Sequence, residues 1–188
     1  MKNAIFIDRD GTINIDNHYV YNINDFFFID NVIHAMIELK KMNFFLIIVT
    51  NQSGIARGVF TQQDFIFLTK WMISYLQLYC VHIDAVYFCP HHLQGIVKQF
   101  KQNCLCRKPG PGMLLDAQKR FNINMTTSYM VGDTANDMLA GQLAGVGTNV
   151  LVCSGKKITK KTMNTANWVI KSLASLPNII KKQRYRNI

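Results

Sequence analysis

Short apolar runs at residues 4–7, 44–49, 84–88, 129–131 and 148–152 punctuate the chain. Several are nearly continuous rather than alternating, which is the pattern of strands buried on both faces of a parallel sheet. The segments between them carry apolar residues at helical spacing: Ile33, Ile37 and Leu39, then Phe65, Leu68, Met72 and Leu76, then Leu114, Leu115 and Ala117. Thr61-Gln62-Gln63-Asp64 reads as a capping box opening the second helix, with Asp64 in place of Glu or Gln. Pro111 suits the first turn of the third helix, and residues 136–144 predict a fourth. Residues 175–188 predict a last helix ending in a basic, partly disordered tail over about 178–188. Alternation of strand and helix along the whole length predicts a doubly wound α/β fold, a single domain spanning 1–188 with no insertion interrupting the pattern.

In such a sheet, ligands bind beyond the carboxyl ends of the strands. Asp8, Thr50, Cys89 and Asp133 all fall just past predicted strand ends. Asp8-Arg9-Asp10-Gly11 alone reads equally well as a simple turn. Three later segments change that balance: Thr50-Asn51-Gln52-Ser53-Gly54, Arg107-Lys108-Pro109 and Gly132-Asp133-Thr134-Ala135-Asn136-Asp137. Phosphate-ester hydrolysis needs a nucleophile, a proton donor for the leaving oxygen and cations to absorb charge. Asp8 is the candidate nucleophile and Asp10 the general acid and base. Two carboxylates beside an anionic substrate need a cation, so Asp133 joins Asp8 as a ligand of Mg²⁺, with a backbone carbonyl and waters. Asp137 is placed to orient a metal water or the lysine, and Thr50 and Lys108 to hold phosphoryl oxygens. Arg107, with its planar fork, is a candidate clamp on another part of the substrate.

Cys89-Pro90-His91-His92 and Cys104-Leu105-Cys106 form a second constellation. Three thiols and an imidazole suit a closed tetrahedral Zn²⁺ site formed by Cys89, His91, Cys104 and Cys106, with His92 as the alternative imidazole. Free buried thiols or a redox disulfide are the competing readings. The metal would tie down the polar loop over 89–106 and present Arg107 and Lys108. Cys80 and Cys153 lie in apolar sequence surroundings and are expected to pack in the interior.

Composition narrows the picture further. Of 188 residues, 49% are hydrophobic, enough for a core on two faces of a sheet. The formal net charge of +10 favours anionic partners, yet the lysines are scattered, so no dedicated nucleic-acid surface is expected. The apolar runs are too short to cross a bilayer, and no secretory signal is expected from the short first run ending at Asp8. A cytoplasmic monomer is the expectation.

Taken together, these segments resemble the haloacid dehalogenase superfamily of phosphohydrolases, with its four motifs in order. The likeness runs nearly end to end, through 8–14, 28–30, 50–58, 87–92, 106–115 and 129–133. Within the superfamily it is to the zinc-containing branch of heptose bisphosphate and histidinol phosphate phosphatases. The loop Thr50 to Gly58 resembles the heptose type, because the histidinol type tends to carry Asp where Ser53 stands. The resemblance implies removal of the 7-phosphate from a heptose 1,7-bisphosphate on the way to ADP-heptose for lipopolysaccharide. It also implies Mg²⁺ at Asp8, Asp10 (through its carbonyl) and Asp133, Zn²⁺ at Cys89, His91, Cys104 and Cys106, and substrate contacts from Asp16, Asn17, His18, Tyr19, Asn51, Gln52, Ser53 and Arg107. One departure is Thr134, where close relatives often carry Lys.

Overall fold

A computed structural model describes residues 1–186, and the last two residues of the expected basic tail lie outside the described residues. Six parallel strands form one sheet in the order β3-β2-β1-β4-β5-β6. They are β1 (Ala4–Ile7), β2 (Phe45–Asn51), β3 (Ala85–Cys89), β4 (Tyr129–Gly132), β5 (Thr148–Val152) and β6 (Trp168–Ile170). Seven helices, α1 (Val32–Lys41), α2 (Ser53–Ala56), α3 (Gln62–Leu78), α4 (Gly112–Phe121), α5 (Ala135–Leu143), α6 (Lys160–Met163) and α7 (Leu176–Arg186), lie between and after them. The five expected strands are present, and β6 was not anticipated. Thr50 lies inside β2 and Cys89 is the last residue of β3, so neither falls beyond its strand as expected.

The continuous apolar strands are explained by cover on both faces. In β1, Ile5 and Ile7 point into one core cluster with Met36, Leu39, Leu68, Met72 and Ile180, from α1, α3 and α7. Ala4 and Phe6 point the other way, into a cluster with Met113, Leu114, Ala117 and Ala140 from α4 and α5. Each of the larger side chains so buried contributes about 2 kcal/mol. Thr61 caps α3 as expected: its hydroxyl accepts from the Asp64 amide at 3.1 Å, and the Asp64 carboxylate accepts from the Thr61 amide at 2.8 Å. Pro111 is the N-cap of α4 rather than a residue of its first turn. Cys80 and Cys153 are both exposed, contrary to expectation: the first sits in the left-handed turn after α3 and the second just beyond β5. No described helix is long and apolar enough to cross a membrane.

Chain order reverses direction between β1 and β4, and the two strands pair in register with Ile7 opposite Val131. This is the switch point at which a doubly wound sheet opens a crevice.

Candidate active site

Asp8 and Asp133 leave β1 and β4 side by side at that crevice, and the Asp8 amide donates to the Val131 carbonyl at 2.9 Å. Asp8, Asp133 and Asp137 each offer a carboxylate oxygen within 4.8 Å of the others, so the three could hold a metal ion. Gly11 and Gly155 make the pocket for Asp133. Gly11 has φ +78°, and a Cβ there would come within 2.5 Å of an Asp133 oxygen, while a Cβ on Gly155 would also clash with it. The Lys156 amide donates to that carboxylate at 2.8 Å.

Lys108 is the buried ammonium in contact with these acids. It is 2% exposed, with Nζ 2.9 Å from Asp8, 2.5 Å from Asp137 and 2.7 Å from the Val49 carbonyl. Asn51, at the end of β2, fixes the lysine's backbone through a reciprocal pair: its Nδ2 donates to the Lys108 carbonyl and its Oδ1 accepts from the Lys108 amide, both at 3.0 Å. Burial pulls the Lys108 ammonium down, but Asp137 and Asp8 outweigh it and hold the group well above the ordinary lysine range. Burial pushes Asp8 well up against the pull of Lys108, with Asp137 and Asp133 adding to the rise. Asp133 is pushed up to about 6 by burial first and by Asp137 next. Three carboxylates facing one ammonium leave an excess of negative charge in a dry site, which a divalent cation would neutralise.

Thr134 has a role that its charge does not suggest. Thr134-Ala135-Asn136-Asp137 is a capping box opening α5, the same pattern as at 61–64. The Asp137 carboxylate accepts from the Thr134 amide at 3.0 Å and from its hydroxyl at 2.5 Å, which leaves the other oxygen turned to Lys108.

Asp10 stands apart from the three-carboxylate group. Arg9, 1% exposed, forks onto both its oxygens at 2.8 and 2.9 Å and donates to the Val20 carbonyl at 2.7 Å. Asn14 and Gln52 donate to Asp10 as well, both at 3.0 Å, and Gln52 also donates to the Thr50 hydroxyl at 2.9 Å. Sequence reasoning assigned nothing to Arg9 or Lys156.

A cleft of about 150 Å³ is lined by Asp8, Asp10, Thr50, Lys108, Asp133 and Lys156, among others. It adjoins a cavity of about 290 Å³ lined by His18, Tyr19, Gln52, Ser53 and Arg107, with Asp10, Asp16, Asn51 and Lys156 shared between the two. Asn17 lines neither. Larger cavities of about 670 and 620 Å³ lie elsewhere, beside Met1 and α4 and beside Phe60 and α3, and neither holds such a cluster of charged groups. His18 and Tyr19 both have positive φ, and the His18 amide donates to Asp16 at 3.2 Å, so the loop is held in a tight local turn.

The cysteine cluster is assembled as expected. Sulfur atoms of Cys89, Cys104 and Cys106 lie 3.2–3.5 Å apart, and His91 Nδ1 is 3.5 Å from Cys106 and 3.8 Å from Cys89. Those separations are far too long for a disulfide, and they approach the edges of about 3.8 Å that a tetrahedron with metal–sulfur bonds of about 2.3 Å would have. The group could hold a metal ion. Gln102 bonds the outer nitrogen of His91 at 2.7 Å and so orients the ring. His92 is turned away, with Nε2 3.1 Å from Arg57. Arg107 donates to the His91 carbonyl at 3.2 Å, which ties its position to this loop.

A family model described as HAD-hydrolase-like matches residues 105–176. A D-glycero-β-D-manno-heptose-1,7-bisphosphate 7-phosphatase of Escherichia coli strain K12 is 58% identical over 181 residues, covering 96% of this chain and 95% of its own. The Pasteurella multocida phosphatase of the same name is 52% identical, with 96% and 98% covered. Among solved structures, the D,D-heptose 1,7-bisphosphate phosphatase of B. bronchiseptica, complexed with magnesium and phosphate, matches with a TM-score of 0.83 at 28% identity, covering 97% of this chain and 99% of that one. Likeness of this extent, over a crevice furnished with the acids and the lysine that phosphoryl transfer needs, means that the chain belongs to the heptose bisphosphate phosphatase family of haloacid dehalogenase-like hydrolases.

Proposed function

We propose that the chain is a Mg²⁺-dependent phosphoric monoester hydrolase that removes the 7-phosphate of D-glycero-D-manno-heptose 1,7-bisphosphate. The chemistry rests on one observation: Asp8, Asp133 and Asp137 converge around the buried Lys108 at the switch point of the sheet. The substrate follows from the 58% identity to an enzyme of that name. The histidinol phosphate alternative is not favoured, because the high-identity relatives carry the heptose name. We further take the chain to be a single-domain cytoplasmic monomer, in the route to ADP-heptose and lipopolysaccharide.

In this reading an Asp8 oxygen attacks phosphorus, forming an acyl phosphate as the bond from phosphorus to the sugar oxygen breaks. Asp10 gives its proton to the leaving oxygen, then takes one from the water that attacks the acyl phosphate, releasing phosphate and restoring Asp8. Arg9, Asn14 and Gln52 set the position of Asp10 during both transfers. Thr50 and Lys108 donate to the phosphoryl oxygens as charge spreads over them. Asp8, the Asp10 carbonyl and Asp133 would hold Mg²⁺, which supplies electrostatic neutralisation of nucleophile and phosphate. Asp137 keeps Lys108 charged and aimed.

The ion of the Cys89, His91, Cys104 and Cys106 group is assigned as Zn²⁺ on its donor set, three thiolates and an imidazole with a supporting outer-shell amide. Its role would be structural, closing the 89–106 loop, while the Arg107 bond to the His91 carbonyl ties that side chain to the loop beside the substrate cavity. Phosphate release from heptose 1,7-bisphosphate and from histidinol phosphate in Mg²⁺ tests the reading. A strong preference for the bisphosphate is expected, and equal or reversed preference overturns the substrate assignment.

A further inference from the structure

Lys156 lies in the turn after β5, at the same carboxyl edge of the sheet as Asp8 and Asp133. The turn is pinned on both sides: the Ser154 hydroxyl donates to the Gly11 carbonyl at 2.8 Å, and the Lys156 amide donates to Asp133 at 2.8 Å. Its side chain is left free to work elsewhere. It is half-exposed, pairs with the Asp16 carboxylate, and lines both the small phosphoryl cleft and the adjoining 290 Å³ cavity.

That adjoining cavity presents two carboxylates, Asp10 and Asp16. Asp10 is neutralised from within by the buried Arg9 fork. Asp16 is neutralised by Lys156, without which it would repel any anion entering the cavity. Arg107 is the other permanent cation of the lining, held from the metal loop. Thr134 has no charge, and its hydroxyl is committed to Asp137. For a sugar carrying two phosphates, with the reacting one beside Asp8 and Lys108, the adjoining 290 Å³ cavity is the neighbouring space for the second, and Arg107 and Lys156 are the cations of its lining.

We propose that Lys156 is a substrate-binding residue: together with Arg107 it holds the phosphate that is not transferred, and so confers preference for a bisphosphorylated sugar over a monophosphate. This rests on the proposed function above. Arginine supplies a planar fork and lysine a mobile point charge, and the two can share one phosphate without competing for the same oxygens.

The test compares wild type, Lys156→Met and Lys156→Arg on heptose 1,7-bisphosphate and on heptose 7-phosphate, which lacks the second anion. An exposed pair contributes little to stability, so both variants should fold with near-native melting temperatures. Lys156→Met should lose about 10- to 100-fold in kcat/KM on the bisphosphate, mostly through KM, as expected for loss of a charge-assisted hydrogen bond. On the monophosphate the loss should be about threefold or less, and Lys156→Arg should recover most of the bisphosphate activity. Inhibition by heptose 1-phosphate should weaken in the Met variant far more than inhibition by inorganic phosphate. A parallel loss on both substrates, or none on the bisphosphate, overturns the assignment of Lys156 while leaving the substrate reading in place. A wild-type enzyme that does not distinguish the two substrates would sink the substrate reading itself and this inference with it.

Discussion

Replacing Lys108 by Met separates the catalytic from the electrostatic demands of the crevice. Methionine keeps the length and most of the volume of the stem but removes the ammonium that lies 2.9 Å from Asp8 and 2.5 Å from Asp137. Metal-free protein is then left with three buried carboxylates and no ammonium in contact with them. Removing one partner from a buried ion pair costs about 3–5 kcal/mol, which for a chain of this size lowers the melting temperature by roughly 10 °C. Burial already pushes Asp8 upward, so protonation relieves part of that cost, and the deficit should be smaller at pH 5 than at pH 8. Added Mg²⁺ should recover more of the melting temperature in the variant than in wild type, because it replaces the missing charge. Turnover should nonetheless fall about 100- to 1000-fold even in saturating Mg²⁺, the loss typical of one preorganised transition-state donor. Calorimetry with and without Mg²⁺, alongside phosphate-release kinetics, reads both effects. A folded, metal-loaded variant that retains more than a tenth of wild-type kcat would show that Lys108 is only a counter-ion for the acids.

Asp8→Asn should reduce turnover at least about 1000-fold while the metal-free protein melts no lower than wild type, since it sheds a carboxylate that burial already disfavours. Cys104→Ser should release the metal of the thiolate cluster, measured by elemental analysis, with stability and then activity falling; a strong chelator should reproduce the effect. Asp133 is pushed up to about 6 from its ordinary 3.8, so the native state holds a proton that the unfolded chain gives up. Its contribution to metal-free stability is therefore present below about pH 4 and lost as pH rises through 6. Asp133→Asn should remove that fall, visible in the difference between wild-type and variant melting temperatures across pH 4 to 7; identical profiles would contradict the assignment. In wild type, stabilisation by Mg²⁺ should grow over the same interval as the carboxylate ionises.

The fold was legible wherever burial on both faces produced unbroken apolar runs, as at 4–7 and 148–152. β6 escaped because it is a three-residue edge strand in which Val169 stays exposed, too short to show any period. Asp8 and Asp133 were legible because each stands just past the end of such a run. Cys89, His91, Cys104 and Cys106 were legible by their chemistry, and the geometry turns His91 rather than His92 toward the thiols. What escaped was tertiary: the Asn51 clamp on Lys108 spans 57 residues of sequence, and the role of Arg9 depends on the buried fork it makes onto Asp10. Thr134 looked like a departure when judged by charge alone, although the Thr-x-x-Asp pattern already recognised at 61–64 repeats at 134–137 and names its role. Ser154-Gly155-Lys156 follows a buried strand as Asp8 and Asp133 do, and that position was the signal available for Lys156.

Covalent trapping tests the central claim most directly. Enzyme mixed with the heptose bisphosphate in Mg²⁺, acid-quenched within milliseconds and treated with borohydride, should carry homoserine at position 8, the reduction product of an aspartyl phosphate, in the peptide mass spectrum. Full turnover with no reduced residue at position 8 in any quench interval, or with reduction at another aspartate, would contradict the account.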